Sequence, residues 1–196
     1  MSFGALRPLA KGIGRDHAMA VELWKSGNHD ARLLATMIAE PAQMGVGDLD
    51  AWMKDVDNSV LADGFCGLVA RTAHAQRCVK EWSTKTDEFV RRCGYGTLSM
   101  MLRDGADVPR ALAKDCLGRI EREIHGSANR AREAMNTALI SIGTYVDDLE
   151  EDAIAAALRI GPVDIDHGET GCKTPDAPSY IEKAAAHRKR KQGRHS

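Results

Sequence analysis

Apolar residues recur three and four positions apart along most of the chain, and nowhere do they hold the strict alternation of a half-buried strand. This spacing predicts helices in DHAMAVELW, DARLLATMIAE, VGDLDAWMKDV, NSVLADGFCGLVART, AQRCVKEW, TDEFVRRCGYGTLSMML, VPRALAKDCLGRIEREIHG, NRAREAMNTALISIGTY and LEEDAIAAALRIG, with another over residues 3–13. Asn28, Asn58, Thr86 and Asp107 stand where N-caps belong, the last with a proline near the first turn. Gly27, Pro41, Gly105, Gly126 and Gly161 mark the stops. Helices of roughly ten to eighteen residues joined by about two to six point to an all-α fold, an α-solenoid of antiparallel helix pairs or a compact bundle.

The pattern changes after Gly161. PVDIDHGETGCKTPDAPS is too rich in Gly, Pro, Asp and Thr to continue a helix, so a structured loop is expected before a last helix, YIEKAAAHRKRK. The resulting division is a helical-repeat domain over 1–161, a loop and terminal helix packed on it over 162–186, and an unordered basic tail over 187–196. Asp164, Asp166, His167, Glu169 and Cys172 in the loop invite a metal, but no second His or Cys lies nearby at ligand spacing. Carboxylates in such turns more often cap backbone amides, so no metal is expected.

Composition narrows the class. A chain of 196 residues, 43% of them hydrophobic, is long enough to bury a real core. It has no apolar run of membrane-spanning length and no secretory leader, which gives the expectation of a cytoplasmic protein with no membrane partner. Cys66, Cys78, Cys93, Cys116 and Cys172 form no CxxC pair and read as reduced thiols. The net charge of -1 conceals an asymmetry, because Arg188, Lys189, Arg190, Lys191 and Arg194 crowd the C-terminal segment and leave -6 on the remainder. Such a cluster suits a polyanion or serves as a solubilising terminus.

One carboxylate stands out. At about 100° per residue, Leu61, Phe65 and Leu68 share a stripe and Asp63 falls on the opposite side. On a bundle that side meets bulk water; in a curved solenoid it can line a groove. Trp24, Trp52 and Trp82 follow apolar spacing and are expected in the core.

The runs ELWKSGNHDARLLATMIAEP, DAWMKDVDNSVLADGFC, EWSTKTDEFVRRCGYGTL, REAMNTALISIG and VDIDHGETGCKTPDAPSYIEKA, in this order over nearly the whole chain, resemble the DNA alkylation repair family of HEAT-like helical-repeat DNA glycosylases. The resemblance rests on the joint order of LWxSGxHxAR, WxxxxDEFVRR and DHGxTxCKxPDAxxYI. It implies a right-handed solenoid whose basic concave surface cradles duplex DNA. It also implies hydrolysis of the N-glycosidic bond of alkylated purines, with no metal or organic cofactor. The family's catalytic aspartate maps onto Asp63 and its groove arginine onto Arg92, with Arg91 one residue away as the alternative. Arg130, Arg132 and the basic tail would bind phosphates.

Two groove tryptophans of the family fall on Ser59 and Thr137, so both stacking faces are missing at those positions. The resemblance also starts inside the family's fold, which gives an expectation of self-association through an exposed apolar edge of the 3–13 helix. A different class stays open beside the enzyme: a non-catalytic helical-repeat module that binds nucleic acid or a protein along the same groove.

Overall fold

The computed structural model describes the backbone of residues 3–192 and the side chains of residues 4–187. Eleven α-helices and no strand occur among the described residues. They are α1 (Phe3–Ile13), α2 (His17–Lys25), α3 (His29–Ile38), α4 (Val46–Met53), α5 (Ser59–Val69), α6 (Ala75–Trp82), α7 (Glu88–Arg103), α8 (Arg110–Glu123), α9 (Asn129–Tyr145), α10 (Glu150–Ile160) and α11 (Ala177–Gln192). The chain separates into two compact units, Met1–Met100 and Met101–Ser196, with the division near the end of α7. Among the described residues no helix is long and apolar enough to cross a membrane.

In the first unit α3 is central, with α1, α2 and α5 packed against it. The three tryptophans belong to the core, as their spacing predicts. Trp24 and Trp52 stack with ring centroids 4.1 Å apart and planes 6° from parallel. Phe65 lies 5.9 Å from Trp24 and also 5.9 Å from Trp82, so one aromatic column joins α2, α4, α5 and α6. Each such ring buries roughly 150–250 Å², an upper estimate of about 4–6 kcal/mol at 25 cal/mol/Å². That exceeds what any exposed ion pair supplies, typically about 0–1 kcal/mol, so the column organises this unit.

Close approach of α7 depends on glycine. A Cβ built on Gly94 would meet the backbone N of Ser83 at 2.5 Å, and one on Gly96 would meet Cys66 Sγ at 2.7 Å. Both glycines are helical and need no special φ; what they provide is room for α7 against the end of α6 and against α5.

In the second unit α9 packs on α8, α10 and α11. Gly143 serves the same purpose there, since a Cβ would reach Ile181 Cδ1 at 2.7 Å and Ala153 Cβ at 2.9 Å. Arg159 and Glu121 pair through two hydrogen bonds, 2.5 and 3.0 Å, and tie α10 to α8. The Gly-Pro-Asp-rich segment after α10 is a structured loop, held by three side chains on one stripe of α9. Asn129 exchanges hydrogen bonds with the Asp166 backbone at 2.8 Å in both directions, Arg132 donates to Asp164 O at 2.7 Å, and Asn136 donates to Pro175 O at 3.0 Å.

Two caps differ from the sequence expectation. Asp87 takes the role assigned to Thr86, because its Oδ1 accepts from both the Phe89 and Val90 N–H groups, at 3.1 and 3.0 Å. A carboxylate also complements the positive end of the helix, which a threonine hydroxyl does not. At α8 the N-cap is Pro109, in extended backbone (φ -54°, ψ 129°), and the helix starts two residues later than a cap at Asp107 would place it. Asn28 and Asn58 cap as expected, accepting from Ala31 N at 3.1 Å and Leu61 N at 3.0 Å. At the other terminus α11 continues through Gln192, so the basic segment starts as helix rather than as an unordered tail. The side chains of Arg188 to Lys191, and Arg194 altogether, lie outside the described residues.

Candidate functional site

Asn58 fixes the start of α5 with its side-chain oxygen on the Leu61 N–H, and the stripe Leu61, Phe65 and Leu68 then turns into the core, each at most 1% exposed. The opposite side carries Asp63, whose side chain is 60% exposed. Facing it is Arg92 of α7, whose side chain is only 9% exposed and donates from Nη2 to Asp63 Oδ1 at 2.8 Å. A guanidinium so far removed from water requires an anion beside it. The carboxylate is therefore held at one fixed place while most of its surface faces solvent.

Behind the pair the wall is uncharged. Cys66, one turn beyond Asp63, donates from Sγ to Cys93 O at 3.6 Å, and Cys93 follows Arg92 directly. Burial, reinforced by the hydrogen bond with Cys66, raises the Cys93 thiol well above its ordinary range, so it stays neutral. The Gly96 contact with Cys66 sets how near α7 comes to α5, and hence how Arg92 meets Asp63.

The remaining residues singled out in the sequence separate clearly. Arg91 is buried and donates from Nε to Lys85 O, which fastens α7 to the α6–α7 connection; of the two neighbouring arginines, Arg92 is the one on Asp63. Ser59 opens α5 half-buried, and Thr137 is exposed on α9 with its hydroxyl donating to Glu133 O at 3.0 Å. Neither offers a flat apolar face. Tyr95, three residues after Arg92, is 0% exposed and offers none either.

In the second unit Arg130 pairs with Glu133 at 3.5 Å. Arg132, expected as a phosphate ligand, donates from Nη1 and Nη2 to the carbonyls of Asp164 and Ser127 at 2.7 and 2.9 Å and so clamps the loop. His167 joins this loop to α9, with Nε2 3.1 Å from Thr174 Oγ1 and Nδ1 4.0 Å from Glu133 Oε1. Asp166 caps backbone, accepting from the Gly168 N–H at 2.7 Å.

Sequence reasoning missed the spacing role of Gly94 and Gly96 and the clamp formed by Asn129 and Asn136. Only the second left a signal: Asn129, Arg132 and Asn136 recur at helical spacing as polar residues along one stripe of α9.

The family model for "DNA alkylation repair enzyme" matches residues 1–181. The uncharacterized protein Lin0241 of Listeria innocua is 33% identical over 174 residues, 88% of this chain and 75% of that protein. The uncharacterized protein Lmo0209 of Listeria monocytogenes is 30% identical over the same shares. A solved structure described as "a new family of proteins related to the HEAT-like repeat DNA glycosylases with affinity for branched DNA structures" superposes with a TM-score of 0.84 at 27% identity, covering 95% of this chain and 81% of that one. By its sequence and its all-helical fold, the chain belongs to the DNA alkylation repair enzyme family, and it is related to the HEAT-like repeat DNA glycosylases.

Proposed function

We propose that the protein binds duplex DNA and hydrolyses the N-glycosidic bond of alkylated purines, with Asp63 as the catalytic carboxylate and Arg92 as the residue that fixes it. The observation that carries this reading is the 2.8 Å pair of an exposed carboxylate on a nearly buried guanidinium. An alkylated purine is cationic and leaves readily. As its bond to the sugar lengthens, positive charge moves onto the sugar ring, and a carboxylate already held in place stabilises that charge without reorganising. The same oxygen can orient the attacking water. Such a site asks for no deep pocket, because the lesion supplies its own leaving group. Phosphate contacts by other basic residues would add affinity that weakens with salt.

The test is release of base from N-methylated duplex DNA, or formation of abasic sites, by the native protein and by Asp63→Asn. Release that disappears in the variant supports the enzyme. Release unchanged in the variant removes Asp63 from the chemistry.

A second reading is favoured by Ser59, which leaves the first turn of α5, four residues before Asp63, without a stacking face. It is a non-catalytic module that recognises DNA by its shape, and the solved relative described as having affinity for branched DNA gives it a substrate class. Salt-sensitive binding to a four-way junction with no base released from methylated duplex would favour this reading over the enzyme. On α1, Leu9 is 51% exposed while Leu6 is buried, which supports self-association through that edge. A monodisperse monomer in light scattering at high concentration would remove that part.

A further inference from the structure

We propose that Asp55, gripped by Trp24 and Arg32, is a positioning residue for Asp63: it fixes the five-residue connection from α4 into α5 and thereby the first turn of the helix that carries the catalytic carboxylate. The inference rests on the glycosylase reading of Asp63 and adds residues that no part of that reading contains.

The geometry starts from one oxygen. Asp55 Oδ2 accepts from Trp24 Nε1 at 2.8 Å and lies 3.0 Å from Arg32 Nη2. The same guanidinium donates from Nη1 to the Asp55 carbonyl at 3.4 Å and from Nε to the Trp24 carbonyl at 3.3 Å, and it stands 5.4 Å from the Trp24 ring centroid. Trp24 in turn is stacked on Trp52 of α4. Asp55 is thus bound through side chain and backbone to a rigid α2–α3 pair, while the next residue, Val56, is buried.

Two residues further on, Asn58 caps α5, and its amide Nδ2 lies 3.3 Å from His29 Nδ1 of α3. The connection is therefore held to α2 and α3 at both ends. It has no regular secondary structure of its own to keep it in place. The run from Leu23 to Arg32 acquires a physical purpose: Ser26 and Gly27 (φ 70°) turn the chain back so that Arg32 reaches the Trp24 carbonyl.

For a reaction that depends on a carboxylate meeting a developing cation, displacement by about 1 Å costs on the order of a hundredfold in rate, whereas phosphate contacts tolerate it. Loosening this clamp should reduce turnover and leave binding in place.

The experiment compares native protein, Asp55→Asn and Arg32→Lys by amide hydrogen exchange and by base release. The exchange probes are the N–H groups of Leu61 and Ala62, which bond to Asn58 Oδ1 and Asn58 O. We expect exchange at these two amides to accelerate about tenfold in both variants while α3 amides keep native protection. With duplex affinity within twofold of native, release from the bound complex should fall about tenfold. Native protection at Leu61 and Ala62 in both variants overturns the proposal. So does equal loss of protection throughout α3 and α5, which would mark a merely structural role. If the native protein releases no base, the glycosylase reading fails, and exchange alone still decides whether Asp55 holds the start of α5.

Discussion

Gly96 of α7 lies so close to Cys66 of α5 that a Cβ on the glycine would stand 2.7 Å from Sγ, whereas a Cβ on Gly94 would strike the Ser83 backbone at 2.5 Å. The two obstacles respond differently. A thiol at the end of a side chain can rotate away; a backbone cannot. Alanine otherwise gains about 1 kcal/mol over glycine inside a helix. Gly96→Ala should therefore change stability little, and Gly94→Ala should lose about 1–3 kcal/mol through overpacking. Urea midpoints measure both. Equal effects would mean that α7 is less closely seated than described.

Acid should weaken both units through identifiable carboxylates. Arg77 donates to both oxygens of Asp50, at 2.9 and 3.0 Å, and holds its pKa below the ordinary 3.8; Arg159 does the same to Glu121, below its ordinary 4.5. A depressed folded-state pKa gives stability that is complete above the unfolded value and is lost as pH falls through the folded one. Stability should thus be insensitive to these groups at neutral pH and decline once pH drops below about 4.5. Asp50→Asn should flatten that decline in urea titrations between pH 5 and 3 (approximate limits). An unchanged slope would show the Arg77 pair to be screened.

Thiol labelling should divide the five cysteines sharply. Cys172 is exposed, and Cys66, Cys78, Cys93 and Cys116 are buried. Burial pushes Cys78 up to about 11, which removes its thiolate as well as its access. Mass spectrometry after brief alkylation at neutral pH should show one adduct on native protein and five after denaturation. Rapid labelling of Cys66 or Cys93 would reveal opening between α5 and α7, directly behind Asp63.

Ser59 begins α5 four residues before Asp63, at a position where the family resemblance implies a tryptophan. Ser59→Trp should restore an aromatic face beside a cationic substrate and raise base release. A contribution of about 0.5–2 kcal/mol corresponds to roughly twofold to thirtyfold. A variant with native stability and no gain would count against a stacking role at this position.

The helices were legible in the sequence because their apolar spacing and their packing agree; the Leu61, Phe65 and Leu68 stripe is buried and Asp63 lies opposite it, as the 3.6-residue period requires. The tryptophans were legible for the same reason. Arg132 was not, because sequence displays a charge without its target, and here the targets are backbone carbonyls that only the folded loop supplies. Thr86 and Asp87 are adjacent candidates for one cap, and only the backbone decides which oxygen reaches two amides. The pairing of Arg92 with Asp63 joins residues far apart in the chain and depends on clearances at Gly94 and Gly96, which periodicity does not encode.

The central claim is that Asp63 is positioned to meet a sugar becoming cationic. It is tested most directly by measuring the affinity of native protein and Asp63→Asn for two duplexes, one with a cationic azasugar and one with a neutral tetrahydrofuran abasic analogue. We expect native protein to favour the cationic duplex by about tenfold or more, in proportion to the stabilisation a fixed carboxylate gives, and Asp63→Asn to lose that preference. Equal affinity of native protein for both duplexes, or a preference that survives in Asp63→Asn, would contradict it.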